Sequence, residues 1–328
     1  PRPPQSRSSA ASDVYKRQIM GFIDQMRAKG HAVESICRVL RQEGCQIAAR
    51  TYRAWRRRSA SARDTSDAVL LNVLHDLVGT PEGLYGRRKM TAWLRREGHQ
   101  VGAGRVDRLM RVAGMNGVRR GRPVRTTVPA KDGCRAGDLL NRDFTAAAPN
   151  TKWVADFTYV RTWAGFVYVA FVLDCYSQRI LAWHAATAKT TPLVLTPLRI
   201  ALWDRDRHGH PVQPGELIAH SDAGSQYTSL RFAEHLAAEG IAASIGTVAD
   251  AYDNALMECV IGLYKTECIT TTIFHNGPYK TIADVEYATA GWVEWYNNRR
   301  LHSSLAMTTP AEYETAYYAA LNRELAPT

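Results

Sequence analysis

Apolar positions in residues 32–43 (AVESICRVLRQE) recur at helical spacing, with Val33, Ile36, Cys37 and Leu40 on one face. Gly44 breaks the period before residues 47–58 resume it, so this stretch predicts helix, turn, helix. The second helix carries Arg50, Arg53, Arg56, Arg57 and Arg58, with Tyr52 and Trp55 between them. That composition suits a helix lying in a DNA groove. After a short linker the arrangement recurs over residues 88–97 and 103–113. Val106, Leu109, Met110 and Ala113 share one face of the second helix there, and Arg105, Arg108 and Arg111 share another. One basic amphipathic helix is most often a solvated surface; two consecutive pairs, each with an Arg-rich second helix, point to DNA binding.

The pattern then changes. Residues 117–137 (GVRRGRPVRTTVPAKDGCRAG) have no apolar period and read as an extended linker that could track phosphates. Three β-branched and aromatic runs follow, at 151–160, 166–173 and 179–187, separated by short turns, and they predict an antiparallel meander. Beyond them come a helix at 191–205, a strand at 216–220, a helix at 229–239, a strand at 241–245 and a helix at 254–267. The expected fold is α/β: a mixed sheet with flanking helices, preceded by all-α modules.

The expected domains are an unstructured stretch at 1–18, helix-turn-helix segments at 19–60 and 66–116, a basic linker at 117–145, the catalytic core at 146–315 and a tail at 316–328. The first stretch (PRPPQSRSSAASDVYKRQ) is unpatterned, and SDVYKRQ resembles translated adapter read-through, which places the expected start near Met20.

Charge sharpens this division. Of the net +11, residues 1–150 hold +16 (29 Lys and Arg against 13 Asp and Glu), and the remainder sums to −5. A basic front half suits a polyanion, while the acidic groups behind it have another use. Six cysteines form no C-x-x-C pair and no zinc spacing, so neither a metal knuckle nor a disulfide framework is expected. No apolar run reaches the roughly 18 residues of a membrane span, and no signal peptide is apparent. The expected location is cytoplasmic, with no membrane partner.

Three carboxylates stand out. Asp156 lies inside the first strand among Trp153, Val154 and Phe157, where an unpaired charge is expensive to bury. Asp222 follows the strand LIAHS, at a strand's carboxyl end, where open sheets place ligands. Glu258 lies about one turn into the helix YDNALMECVIGLYKTE. Singly, each has a plain structural explanation: turn residue, helix cap or a carboxylate near a helix dipole. Together they match a requirement of DNA phosphoryl transfer, since converging carboxylates can hold two Mg²⁺ ions.

The D-x(35)-E spacing from Asp222 to Glu258, with WVADFTYV, HSDAGSQYTS, FVLDCYSQRILAW and WYNNRRLHSSLAMTTPAEY in order, resembles the IS3-type insertion-sequence transposases. These belong to the DDE transposase and retroviral integrase superfamily, and the likeness spans roughly residues 85–313. It implies a ribonuclease H-like core. It also implies that Asp156 is shared by two Mg²⁺ ions (Mn²⁺ can substitute), with Asp222 completing one site and Glu258 the other. The implied reaction is cleavage at element ends to leave a 3′ hydroxyl, followed by attack of that hydroxyl on another phosphodiester. The helix pairs would then read the terminal inverted repeats. Implied partners are those ends, target DNA, further copies of the chain on DNA, and an upstream-frame protein or fusion.

Lys265, seven residues after Glu258, and Asn254, four before it, share its helical face and are expected to line a DNA channel. Glu267, nine residues on, would face away. Asn298 and Arg299 lie in the donor-rich YNNRRLH segment and are expected to face DNA, although a capped helix end explains that segment as well. Asp174, His220 and His302 each have a cheaper structural role. Two other functions remain open at this level: a DNA-binding regulator derived from an inactive transposase, and a nuclease acting on RNA in hybrids.

Overall fold

The computed structural model describes residues 9–325 except 58, 120–138, 141–142, 223–225 and 246–253. Most of the basic linker, Arg58, Asp250, Asp253 and Cys134 thus lie outside the described residues, as do residues 1–8 and 326–328. Two compact units divide the chain, residues 1–69 and 70–328.

In the first unit, helices α1 (Ser9–Ala28), α2 (Val33–Gln42) and α3 (Ala49–Arg57) enclose a small core of Met20, Ile23, Ile36, Cys37, Ile47 and Tyr52. The predicted pair is α2 and α3, with Gly44 at φ +83° supplying the turn. Residues 9–18 correct the expectation of an unstructured stretch to 18. They extend a helix whose later residues, Met20 and Ile23, are buried against α2 and α3. Helix α4 (Ala62–Asp76) occupies the expected short linker and leads into the second unit.

In that second unit α5 (Arg87–Arg96) and α6 (Ala103–Val112) form the second predicted pair. A sheet follows: β1 (Lys152–Thr162), β2 (Gly165–Asp174), β3 (Ile180–Ala186), β4 (Ile218–Ser221) and β5 (Ala242–Ile245). Its order is β3-β2-β1-β4-β5, with β1, β2 and β3 antiparallel and β4 and β5 parallel to β1. That is the ribonuclease H-like arrangement.

Helix α7 (Thr191–Arg207) covers one face, where Trp153, Ala170 and Val172 meet Leu193, Val194 and Leu198. Helix α8 (Leu230–Ala238), capped by Ser229, adds Phe232 and Leu236 to that layer. The other face packs Val154, Val169, Phe171 and Leu173 against α9 (Ala255–Leu263) and α10 (Ile282–Asn298), with Met257, Tyr264 and Trp292 in the same cluster. Strand alternation explains both faces: successive side chains of β1 and β2 point to opposite layers.

The expected tail at 316–328 is also corrected, because α11 runs Pro310–Leu325. Glu314 holds it in place through ion pairs with buried Arg205 and with Arg179. Tyr313 and Tyr317 lie against Tyr176.

Candidate active site

Asp156 sits midway along β1, opposite Phe171, on the face covered by α9. Strand β4 pairs with β1 only over residues 152–155, so the sheet opens at the residue after its last parallel partner. Asp222 directly follows β4 at that carboxyl end. Glu258 projects from the first turn of α9 and is exposed. The three therefore come from separate elements that converge at one end of the sheet.

Their electrostatics record the convergence. The Asp156 carboxyl is pushed well above the usual range, first by loss of surrounding water, then by the charge of Asp222 and more weakly by that of Glu258. The backbone N–H of Phe157, 2.7 Å from its Oδ1, and the Lys265 ammonium act in the opposite direction. Among the described residues, no group of three or more His, Cys, Asp or Glu side chains could hold a metal ion as the side chains stand. Asp222 and Glu258 nevertheless lie near enough for their charges to act on Asp156. Their donor set, oxygen alone and mutually repelling, suits a hard divalent cation.

Three residues complete the site. Asn254, just before α9, donates from Nδ2 to the carbonyl oxygen of Ala155 at 3.2 Å, and its buried Oδ1 has no hydrogen-bond partner among the described residues. That bond ties the start of α9 to β1. Buried Tyr227 has a hydroxyl with no hydrogen-bond partner among the described residues, and its proton is held tightly by burial first and then by the charges of Asp156 and Asp222. Sequence reasoning missed this tyrosine, although it stands within HSDAGSQYTS. Lys265 begins the second residue of a π-helical turn, Tyr264–Ile269, that continues α9. Its ammonium lies 5.0 Å from the Tyr159 ring centroid.

Glu267 is not a rival ligand. It is buried and forked onto Arg300, with Nε to Oε2 at 2.9 Å and Nη2 to Oε1 at 2.6 Å. The widened turn alters the helical phase on which its exclusion rested, so the ion pair is the firmer reason.

The YNNRRLH segment is mostly structural. Asn297 is buried and clamps Ile180 through both its N–H and its C=O, and His302 contacts the Tyr296 carbonyl. Only Asn298 and Arg299 are exposed, with Arg299 near Glu82 and Glu294. Asp174 caps the β2–β3 turn by accepting from Ser177, and His220 bonds Ser244.

The predicted DNA-binding arginines are partly committed elsewhere. Arg53 pairs with Glu34 and Arg56 with Asp24, while Arg50 and Arg57 are exposed on α3. On α6, Arg111 pairs with Asp107, and Arg105 and Arg108 are half-buried. No described helix is long and apolar enough to cross a membrane.

Comparison with known proteins agrees with this geometry. Residues 146–251 and 239–310 match two models described as integrase core domain, and residues 69–123 match an HTH-like domain. The chain is 45% identical over 280 residues to a protein of Mycobacterium tuberculosis named as a transposase for insertion sequence element IS986/IS6110, covering 85% of this chain and 99% of that one. It is 44% identical to the transposase for IS629 of Shigella sonnei, covering 80% and 85%. Identity to the transposase for IS3A of Escherichia coli is 29%, covering 89% and 97%. The chain belongs to the insertion-sequence transposases of the IS3 family, with an integrase catalytic core and DNA as its partner.

Proposed function

We propose that this transposase cuts the ends of its element and joins the freed 3′ hydroxyl to target DNA, with Asp156, Asp222 and Glu258 as its catalytic residues. The observation that carries the reading is the placement of Asp156 within β1 beside the end of β4 and the start of α9, where its proton affinity is raised first by burial, then by the charge of Asp222 and more weakly by that of Glu258. Three carboxylates held in mutual repulsion store a cost that a cation relieves.

Asp156, Asp222 and Glu258 would hold two Mg²⁺ ions, or Mn²⁺ in their place. Divalent ions held there supply Lewis-acid polarisation of phosphate and activation of an attacking hydroxyl. Cleavage adds water across one phosphodiester and releases a 3′ hydroxyl. Joining breaks a second phosphodiester as that hydroxyl forms a new one, so the number of ester bonds is conserved and no outside energy source is required.

The remaining residues position the strand. Lys265, whose charge already acts on Asp156, offsets phosphate charge beside the carboxylates. Asn254 keeps the Glu258 helix in register with β1. The helix pairs, with Arg50 and Arg57 on one and Arg105 and Arg108 on the other, would hold the terminal repeats. Arg53, Arg56 and Arg111 could contribute by exchanging their carboxylate partners for phosphate. Asn298 and Arg299 would contact DNA outside the reacting centre. Further copies of the chain, and an upstream-frame protein, would complete the assembly.

The test is Glu258→Gln assayed on labelled element ends in Mg²⁺. Cleavage and joining are expected to disappear while end binding stays near the parent level. Joining by the variant at the parent rate rejects the assignment.

A further inference from the structure

The outer half of the β1–β2 hairpin carries more aromatic surface than packing requires. The strands stay paired out to Thr162 and Gly165, well past the point where β4 ends. Tyr159 and Phe166 project on the α7 face of this extension and meet edge to face at 5.2 Å. Tyr159 is 40% exposed, Phe166 45%, and Trp163 at the turn 73%. A cluster of large rings left in water at this density marks a binding surface more often than a folding requirement.

Each ring has a cation beside it. Lys265 Nζ lies 5.0 Å from the Tyr159 centroid, the Arg161 guanidinium 5.7 Å from Phe166, and Lys280 Nζ 5.6 Å from Trp163. Among the described residues, neither Arg161 nor Lys280 is ion-paired with a carboxylate. The turn is also braced: Trp163 N–H donates to the Tyr279 carbonyl and Ala164 N–H to that of Lys280, both at 3.0 Å. The patch is rigid, cationic and aromatic, and Lys265 joins it to the carboxylates by acting on both Tyr159 and Asp156.

Planar rings alternating with cations fit a ligand that has flat faces and a polyanionic backbone. A duplex hides its base faces, whereas an unpaired strand offers them. We propose that Tyr159, Phe166 and Trp163 form a stacking platform for unpaired bases of a DNA strand beside the scissile phosphate, with Arg161, Lys265 and Lys280 on its backbone. The identity of that strand rests on the proposed transposase reading; the platform itself does not.

The test uses the full chain and an oligothymidylate of roughly 12 nucleotides, within the span such surfaces cover. Trp163→Ala/Phe166→Ala is expected to weaken binding about tenfold or more, as lost stacking does. Trp163→Phe/Phe166→Tyr should restore it to within about twofold, since every aromatic face stacks. Both side chains are exposed, so an unchanged melting temperature accompanies the loss. Photocrosslinking with iododeoxyuridine in the same oligonucleotide should label Tyr159, Trp163 or Phe166. Parent-level binding by the alanine variant, equal loss in the aromatic variant, or crosslinks confined to residues before 120 overturns the platform. If strand transfer is absent from the parent while the alanine variant still loses oligothymidylate, the platform stands and the transposition chemistry fails.

Discussion

Asn254 Nδ2 donates to the Ala155 carbonyl at 3.2 Å, which fastens the start of the Glu258 helix to the residue before Asp156. A displacement of that helix separates two of the three carboxylates without touching either. Asn254→Ala is expected to reduce stability by about 1 kcal/mol, the net worth of a hydrogen bond. Strand transfer should fall far more, by about tenfold or greater, because misplacement of a catalytic group is costly. Denaturant titration and a joining assay on the same preparation separate the two effects.

The raised Asp156 carboxyl makes a prediction about pH. Between the ordinary carboxyl range and its elevated folded value, the folded chain binds the proton and the unfolded chain releases it. Stability therefore falls as pH rises through that window, and the full penalty stands above the folded value. In metal-free buffer Asp156→Asn should melt at a higher temperature than the parent at neutral pH, with the gap closing toward about pH 4. Adding Mg²⁺ should raise the parent's melting temperature and leave the variant's unchanged.

Glu267 and Arg300 are both buried and joined by a fork of hydrogen bonds. Glu267→Gln leaves the guanidinium without its counter-charge, and the expected loss is about 3–5 kcal/mol. Replacing both by apolar residues should recover much of it, which urea unfolding would measure. The Mg²⁺ dependence of whatever strand transfer remains should match the parent, in contrast to Glu258→Gln.

Much of this was readable from residue order. Strand alternation and the apolar periods located the five described strands and the two helix pairs, with Asp156 inside the first strand, Asp222 just after the fourth and Glu258 in the helix after the fifth. What escaped were features set by tertiary partners. The helix at 310–325 was cut at 315, its end read as a tail, because the Glu314 ion pairs with Arg205 and Arg179 that anchor it join residues more than a hundred positions apart. Helix α4, with Leu70 and Leu74 at helical spacing, falls mostly inside the expected 66–116 segment, but no helix was read there ahead of the second basic pair. Asn254 and Tyr227 carry no periodic signal, since each acts through one contact or one neighbouring charge. YNNRRLH read as a DNA-facing cluster, and its Asn297, Arg300 and His302 are core.

Lys89, on α5, tests how that helix pair joins the core. Its ammonium lies 5.7 Å from the Tyr85 ring centroid, and its pKa is lowered to about 7 by burial first and the Arg300 charge second, with Glu267 offsetting part. From about 7 up to the ordinary lysine value of 10.5 the unfolded chain holds the proton and the folded chain does not. Stability rises with pH across that window. Lys89→Met should therefore stabilise the protein at pH 6 by on the order of 2 kcal/mol, less than the whole shift implies because the side chain keeps some water. The advantage should shrink toward pH 10 in thermal melts.

Metal uptake reaches the central claim most directly. Mn²⁺ binding to the chain on element-end DNA, followed by electron paramagnetic resonance, should give about two ions per active site for the parent. Asp156→Asn, Asp222→Asn and Glu258→Gln should each lose at least one. Uptake by all three variants equal to the parent's would contradict a site built from these carboxylates.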